Sequence, residues 1–477
     1  MQSKTIYTQI YLIIVIVHMV FFHSLCFSQT IVAGGRHSLA ICSDSTVQAW
    51  GYNGFGQLGN GNSIEQHSGI QVTGLKGVQH VAAGLFHSLF IKNDGTVWAC
   101  GRNNHGNLGN GTNTSSLSPV QVLGVSDITQ AAGGGEHSLF LKSNGTVWAC
   151  GNNAAGQLGD GTTTNRNIPV QINNLSSIIQ VAAGAEYSLF LKNDGTVWAC
   201  GHNGYGQFGD GTNRSSRTPI QIPGLSNIIQ ISAGEWHSLF VKDDGTVWSS
   251  GRNQYGQLGN GTTMDRNVFG AVDLLTDIIQ AEAGGIHSVF LKKNGTVWAC
   301  GLNSGGNNNG QLGDGTSTDK NRPVPVISSW GNSPIVRVEA TREHSLFLQS
   351  DGKLWAAGRN NYGQLGYGSF TTENSLTPVL SDNICQSIAL SIVESIDNQQ
   401  DLLLFPNPAS GIIHIQSAKG ISSIDIINML GDKIFSQQIF SVSQTNIDLS
   451  KFPNGVYYIK TIYSDASYST KIFINKN

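Results

Sequence analysis

The stretch AGAEYSLFLKNDGTVWACGHNGYGQFGDGT (residues 183–212) decides the fold. SLFLK and TVWACG are short runs of aliphatic, β-branched and aromatic residues, the kind that pack well on a pleated sheet. Between them, Asn193-Asp194-Gly195-Thr196 supplies a tight turn, because Asp-Gly accepts the positive φ a hairpin needs. The glycine-rich run from Gly201 reads as an irregular loop. Upstream, IQVAAG (179–184) adds a strand. Downstream, PIQI (219–222) adds another, with Pro219 tolerated at a strand start. Four short antiparallel strands in about 50 residues make a propeller blade.

The unit recurs. Trp98, Trp148, Trp198, Trp248 and Trp298 fall 50 residues apart, Trp50 precedes them by 48 and Trp355 follows by 57. Ahead of them lie His37, His87, His137, Tyr187, His237, His287 and His344. Seven copies suit a closed ring, whereas an open solenoid would need polar capping repeats. The expected fold is all-β: a seven-bladed β-propeller over 29–385, a linker at 386–400 and a small Ig-like β-sandwich over 401–477.

Composition agrees and excludes alternatives. Of 477 residues 59 are glycine, and only 12% are charged, about half the usual share. With 27 basic and 30 acidic residues spread thinly, no basic block exists to neutralise phosphates, so nucleic acid is not an expected partner. Residues 1–28 read as a secretory signal: Lys4, an apolar run from Ile10 to Phe22 broken by His18, and Cys26-Phe27-Ser28 before a cleavage at Gln29.

Six cysteines remain after that cleavage: Cys42, Cys100, Cys150, Cys200, Cys300 and Cys385. Four share one register position, where the fifth copy has Ser250 and the seventh Ala357. Equivalent positions in a ring lie too far apart to cross-link, so this position is expected to want a small buried side chain. No spacing suits zinc. The repeated tryptophans are expected to fill the space between blades, and the histidines to satisfy backbone groups near each inner hairpin. A residue present in every blade serves every blade, and Tyr187 stands where a metal ring would need histidine. Asp160, Asp210 and Asp314 lack the alternating ligands of a calcium loop, and Asn60, Asn110 and Asn260 replace them elsewhere, so turn chemistry is the expected role. No metal or cofactor is expected.

The run AGxxHSLFLKxDGTVWxCGxNxxGQLGDGT, recurring over about 30–385, resembles the repeat of the regulator of chromosome condensation family. That resemblance implies a seven-bladed propeller. Nuclear members exchange nucleotide on a small GTPase and touch chromatin, roles that a secretory signal removes from this chain. Secreted bacterial relatives include propellers that bind and inhibit β-lactamases, a protein-binding use of the same scaffold.

Function is expected where the copies differ. In an antiparallel blade, the first-to-second and third-to-fourth connections share one face, and the NDGT turns and inter-blade connections share the other. The first face is expected to gather Phe86, Glu136, Glu186, Trp236, Ile286 and Arg342 from one loop set. From the other set it gathers Phe55, His105, Tyr205, Tyr255 and Tyr362. Aromatic residues ringed by a few charges suit a protein-binding surface. No cluster of convergent polar residues in one or two blades is evident, so no enzyme is expected.

From LLLFPNPASGIIHIQ (402–416) onward the repeat gives way to alternating apolar runs, about six or seven short strands. This segment resembles the type A C-terminal sorting domain of the type IX secretion system. The matching pieces are Phe405-Pro406-Asn407-Pro408-Ala409, Asp425 to Gly431, Asn454-Gly455-Val456-Tyr457-Tyr458 and Lys471 to Ile474. The resemblance implies export across the outer membrane of a Gram-negative Bacteroidota-type bacterium, with release or attachment at the surface. The chain is therefore read as a monomeric, secreted or cell-surface propeller that acts as a protein-binding scaffold or inhibitor. A glycan-binding module and a propeller lyase are the alternatives.

Overall fold

A computed structural model describes residues 31–385 except 305–308, 328–329, 332, 369–373 and 382–383, together with five strands between 402 and 474. The signal segment, the linker, and Pro406, Asn407, Pro408 and Asn454 of the sorting motif lie outside the described residues. The chain divides at residue 393 into two units.

Unit one is seven antiparallel four-stranded sheets, each built from consecutive strands: 31–71, 78–121, 128–171, 178–221, 228–271, 278–325 and 335–380. The ends of the first strands line the central mouth, so those strands are innermost. In blade 3 the strands are Ile128–Gly133, His137–Lys142, Val147–Gly151 and Arg166–Gln171. Asn144-Gly145 makes the hairpin turn, with Gly145 at φ 76°. Gly151 has no substitute: its φ is 106°, and a Cβ there would sit 2.5 Å from the Glu136 carbonyl oxygen.

The core lies between blades. Leu39, Ile41, Val47 and Ala49 of blade 1 pack against Val81, Phe90 and Cys100 of blade 2, and the pattern repeats around the ring. Trp98, Trp148, Trp198, Trp248, Trp298 and Trp355 are half-buried and close these clusters from the side. Lysines cover some of their outer faces, as Lys142 does at 5.5 Å from the Trp148 ring.

Trp50 departs from the expectation. It pairs with Ser38, as Cys100 pairs with Ser88, so it occupies the cysteine position and not the tryptophan position. The expectation of a small side chain there fails in blade 1. The room comes from Ala40, which stands where the other blades have Phe90, Phe140, Phe190, Phe240, Phe290 and Phe347. Trp50 is fully buried against Leu346, Leu348 and Leu365 of blade 7, and its Nε1 donates to the Gln364 carbonyl at 2.9 Å. Cys100 and Ser250 meet the corresponding carbonyl of their preceding blades.

Ring closure was not legible beforehand. Among the described residues no strand is exchanged between the two ends. A disulfide joins Cys42 to Cys385 across 343 residues, with Cα atoms 5.5 Å apart. Gln48, at the tryptophan position of blade 1, accepts the Cys385 amide at 2.8 Å. Cys100, Cys150, Cys200 and Cys300 are buried free thiols, as the register argument expects.

Unit two has five described strands in one paired sheet. Strand Ile412–Ile427 pairs with Leu402–Phe405 through its first half and with Gly455–Ile462 through its second, with Lys433–Asp448 along its other edge. Ala418-Lys419-Gly420 shifts the register without ending the strand. A strand that changes partners in this way is how sandwich sheets are joined. Asp425 of the sorting motif is buried, paired to Lys433 at 2.8 Å and to Ser436 at 2.6 Å. Gly455 and Tyr457 fall on the fourth of these strands.

Candidate functional site

The repeated histidines are structural, but their partner differs from the one expected. His37 Nε2 meets Ser88 Oγ of the next blade at 2.9 Å, and Ser88 Oγ donates to the Gln57 carbonyl at 2.7 Å. Since the serine proton is used, the imidazole donates from Nε2. The same relay joins His87 to Ser138, His137 to Ser188, His237 to Ser288, His287 to Ser345 and His344 to Ser38. In blade 4 the Tyr187 hydroxyl takes the place of the imidazole, 3.0 Å from Ser238 Oγ. Burial holds all six imidazoles well below the ordinary histidine range, hence neutral. Among the described residues no group of three or more His, Cys, Asp or Glu could hold a metal.

The mouth offers no anion nest. Its backbone amides are used between blades, as Gly35 N to Gly84 O at 3.2 Å and Gly285 N to Thr341 O at 2.7 Å. Below it, inner-strand glutamines clamp the next blade: Gln180 accepts from Ile231 N at 2.9 Å and donates to Ile231 O at 3.1 Å. Blades 6 and 7 break this symmetry with polar residues on their inner strands. Glu282 accepts from Gln230, Gln280 and Ser232, and Glu339 accepts from Arg337. Burial raises both carboxyls, against the pull of Arg337. Every one of those donors is intramolecular, so the cluster satisfies itself.

The face carrying the long loops is where unlike residues meet. Tyr52, Phe55, Phe86 and Tyr362 form one half-buried patch across blades 7, 1 and 2. The Tyr52–Tyr362 and Phe55–Phe86 centroids lie 4.9 and 5.4 Å apart, both pairs edge to face. Guanidinium groups cover these rings: Arg102 lies 5.3 Å from Phe55, and Arg36 lies 5.4 Å from Tyr362. Each arginine is tied to a carboxylate, Arg102 to Glu136 at 2.8 Å and Arg359 to Glu343 at 2.7 Å, with Arg36 3.8 Å from Glu343. His105 Nε2 also meets Glu136 at 2.9 Å, while its Nδ1 meets the Asn165 amide at 3.1 Å.

A second patch lies half a turn away, on blades 4 and 5. Trp236 packs 5.2 Å from His202 and 5.5 Å from Tyr205, and Arg252 lies 5.2 Å from the Tyr205 ring. Arg342 and Glu235 pair beside it at 3.0 Å, and burial raises the Glu235 carboxyl against the arginine's pull. Ile286 is half-buried and Glu186 exposed. Tyr255 is half-buried, and its own amide is held by Gln257 Oε1 at 3.1 Å.

The residue of blade 7 equivalent to Phe86 is Glu343, which directly precedes His344; Arg342 sits one place nearer the mouth. A third variable position, directly after the glycine that ends the third strand, also contributes to this face. It carries Tyr52, Arg102, His202, Arg252 and Arg359, and its changes from copy to copy were the available signal.

The two faces differ in their cations. Lys76, Lys92, Lys142, Lys192, Lys242, Lys292, Lys293 and Lys353 lie at the turn-side ends of strands or in the connections there. Arg36, Arg102, Arg166, Arg214, Arg217, Arg252, Arg266, Arg342 and Arg359 lie on the loop side; the exceptions are Lys320 there, Arg322, which pairs with Asp273 of an inter-blade connection, and Arg337, buried on an inner strand. Interfaces favour arginine and aromatics and disfavour lysine.

The fold defines a seven-bladed propeller of regulator of chromosome condensation repeats. Residues 117–400 match the RCC1-like domain, and 29–57, 78–107 and 44–91 match the repeat itself. The chain belongs to the RCC1-like domain family. Residues 403–475 match the secretion system C-terminal sorting domain, so the protein engages the type IX machinery and leaves the cell for its surface or beyond, as is typical of Bacteroidota. Human WBSCR16 is similar at 23% identity over 70% of this chain and 93% of its own, with a TM-score of 0.62. Yeast RCC1 (Prp20), solved bound to Kap60, is similar at 20% identity over 80% and 88%, also with a TM-score of 0.62. Prp20p from Saccharomyces cerevisiae, solved in a study of its binding to Gsp1p and histones, gives 21% identity over 79% and 90%, with a TM-score of 0.59. At these identities the likeness is one of fold.

Proposed function

We propose that the loop face binds a protein outside the cell and that the chain works as a scaffold or inhibitor with no catalytic step. The observation carrying this is the pair of half-buried aromatic–arginine patches half a turn apart on one face. Aromatic and arginine side chains supply most of the energy at protein interfaces. The arginine-for-lysine split favours this face over the turn face. Prp20, a relative in fold, was solved with a protein bound, which fits a propeller used as a docking platform.

A glycan reader would hold ring faces open for stacking on sugars. Here the rings meet edge to face, and guanidinium groups lie over Phe55, Tyr205 and Tyr362. A lyase would need polar groups converging on an open pocket, and the Glu282–Glu339 cluster is already saturated.

The test is capture from culture fluid, comparing the wild type with Phe86→Ala/Trp236→Ala and with a turn-face control, Lys192→Ala/Lys242→Ala. Prey held by the wild type and the control but lost by the loop variant, at unchanged melting temperature, is the expected result. Equal capture by all three refutes the assignment to this face. Binding to a glycan array with no protein prey would install the glycan reading instead.

A further inference from the structure

We propose that Arg252, in the second patch, is the receptor for a carboxylate carried by the protein partner, an acidic side chain or a C-terminus set beside an apolar residue. The inference rests on the loop-face reading and names the chemistry that face recognises.

Arg102, Arg252 and Arg359 each follow the glycine that ends the third strand, and each donates its backbone amide to the residue preceding the repeat's histidine: Phe86, Trp236 and Glu343. Two positions can supply a carboxylate to such an arginine. Arg102 takes Glu136 from the next blade at 2.8 Å. Arg359 takes Glu343 from its own blade at 2.7 Å. Around Arg252 these two positions are Ile286 and Trp236. Both internal counter-ions are thus replaced by apolar side chains. Glu235 makes its close ion pair with Arg342 at 3.0 Å and pulls on Arg252 only from longer range.

Arg252 is half-buried, its Nε has no acceptor, and Tyr205 underlies it at 5.2 Å. A guanidinium among aromatic and aliphatic groups is poorly solvated, which strengthens a charge-assisted bond to an incoming carboxylate. The fork geometry accepts a carboxylate in bidentate fashion. Trp236 and Ile286 flank it, so the partner's acid should come with an apolar neighbour. In the first patch the internal carboxylates already neutralise the arginines, so that patch is expected to add apolar contact without selecting charge.

The test uses the full chain immobilised, with a random twelve-residue peptide library displayed on phage as the probe. Selected peptides are then synthesised and their affinities measured by fluorescence polarisation. Enriched clones should carry Asp or Glu next to an aromatic or aliphatic residue. Arg252→Gln should weaken them at least roughly tenfold. Ile286→Glu, which supplies the internal counter-ion that Glu136 gives Arg102, should weaken them as much while leaving the melting temperature unchanged. Phe86→Ala should not reproduce the charge selectivity. Enrichment without acids, or full binding by both Arg252→Gln and Ile286→Glu, overturns the proposal, and failure to enrich any clone counts against it. Displacement of the peptides by polygalacturonate at low concentration would reassign the site to an acidic glycan. If peptide binding depends on Phe86 and ignores Arg252, the loop-face reading stands and this proposal falls. If no loop-face variant matters, both fall.

Discussion

Mild acid should unfold the propeller through its ring of imidazoles. His37, His137, His237, His287 and His344 are held down to about 3, and His87 to about 4, by burial, against an ordinary value of 6.5. The geometry explains why. Nε2 is committed to the next blade's serine, and Nδ1 of His37, His137, His237 and His287 has no acceptor, so a second proton would have no partner. A folded value below the unfolded one means the unfolded chain takes the proton first. The stabilisation is complete above pH 6.5 and is lost as pH falls from there towards 3. At pH 5.5 each such histidine costs roughly 1–2 kcal/mol, and the six together about 8 kcal/mol. That rivals the whole stability of an ordinary domain, about 5–15 kcal/mol.

His80, also buried and held to about 3, adds a seventh group of the same sign. Glu235, Glu282 and Glu339 act oppositely: their raised carboxyls bind protons in the folded state before the unfolded one. They cancel at most about three protons, leaving a net uptake of roughly four to six on unfolding at pH 5.5. The assay is denaturant unfolding from pH 8 to 5.5, with proton uptake read from the pH slope of stability. His137→Tyr should reduce the uptake by about one, because Tyr187 shows that a hydroxyl fills this position and donates to the next blade's carbonyl at 2.6 Å. A melting temperature that is flat between pH 7.5 and 5.5, or a His137→Tyr variant with wild-type uptake, would refute the reasoning.

Three further outcomes are expected. Cys42→Ser should lower stability substantially, since closing a 343-residue loop is worth up to about 6 kcal/mol by chain entropy and measured native disulfides give about 2–5; urea titration reads it. Trp50→Cys, which restores the repeat, should cost about 3–5 kcal/mol by opening a cavity beside Ala40, and adding Ala40→Phe should recover part of it, as a double-mutant cycle will show. Gln180→Ala should cost about 2–3 kcal/mol, because it strips partners from both buried backbone groups of Ile231, with chemical denaturation as the measurement.

The propeller was legible because its determinants are local and repeated. Asp-Gly turns, alternating strands and glycines forced to positive φ report on themselves in every copy. The loop-face residues were legible in part, since Phe86, Trp236, Tyr205 and Tyr362 vary at positions whose neighbours do not. Their grouping into two patches was not, because it depends on contacts between blades, such as Tyr362 of blade 7 against Tyr52 of blade 1. Charge pairing was hidden for the same reason. Nothing in the sequence around Arg102 or Arg252 says that one meets a glutamate from the next blade and the other an isoleucine.

Departure from the repeat is therefore not by itself a mark of function. Blade 1 departs most, with Ala40 for phenylalanine, Trp50 for cysteine, Gln48 for tryptophan and the unrepeated Cys42, and every one of these changes bears on closing the ring. Among the described residues the ends share no strand, so the last interface leans on side-chain contacts and a disulfide beside its backbone bond from Gly368 N to His67 O, and that interface is where the repeat is unlike itself. Ser249 illustrates a third kind of departure: its hydroxyl is spent on the Leu258 carbonyl within its own blade. What separates the loop-face substitutions from both is that their changes leave chemistry unspent. Trp236 and Ile286 take the places that carboxylates hold beside Arg359 and Arg102, and leave the Arg252 guanidinium over Tyr205 with no carboxylate at ion-pair distance among the described residues.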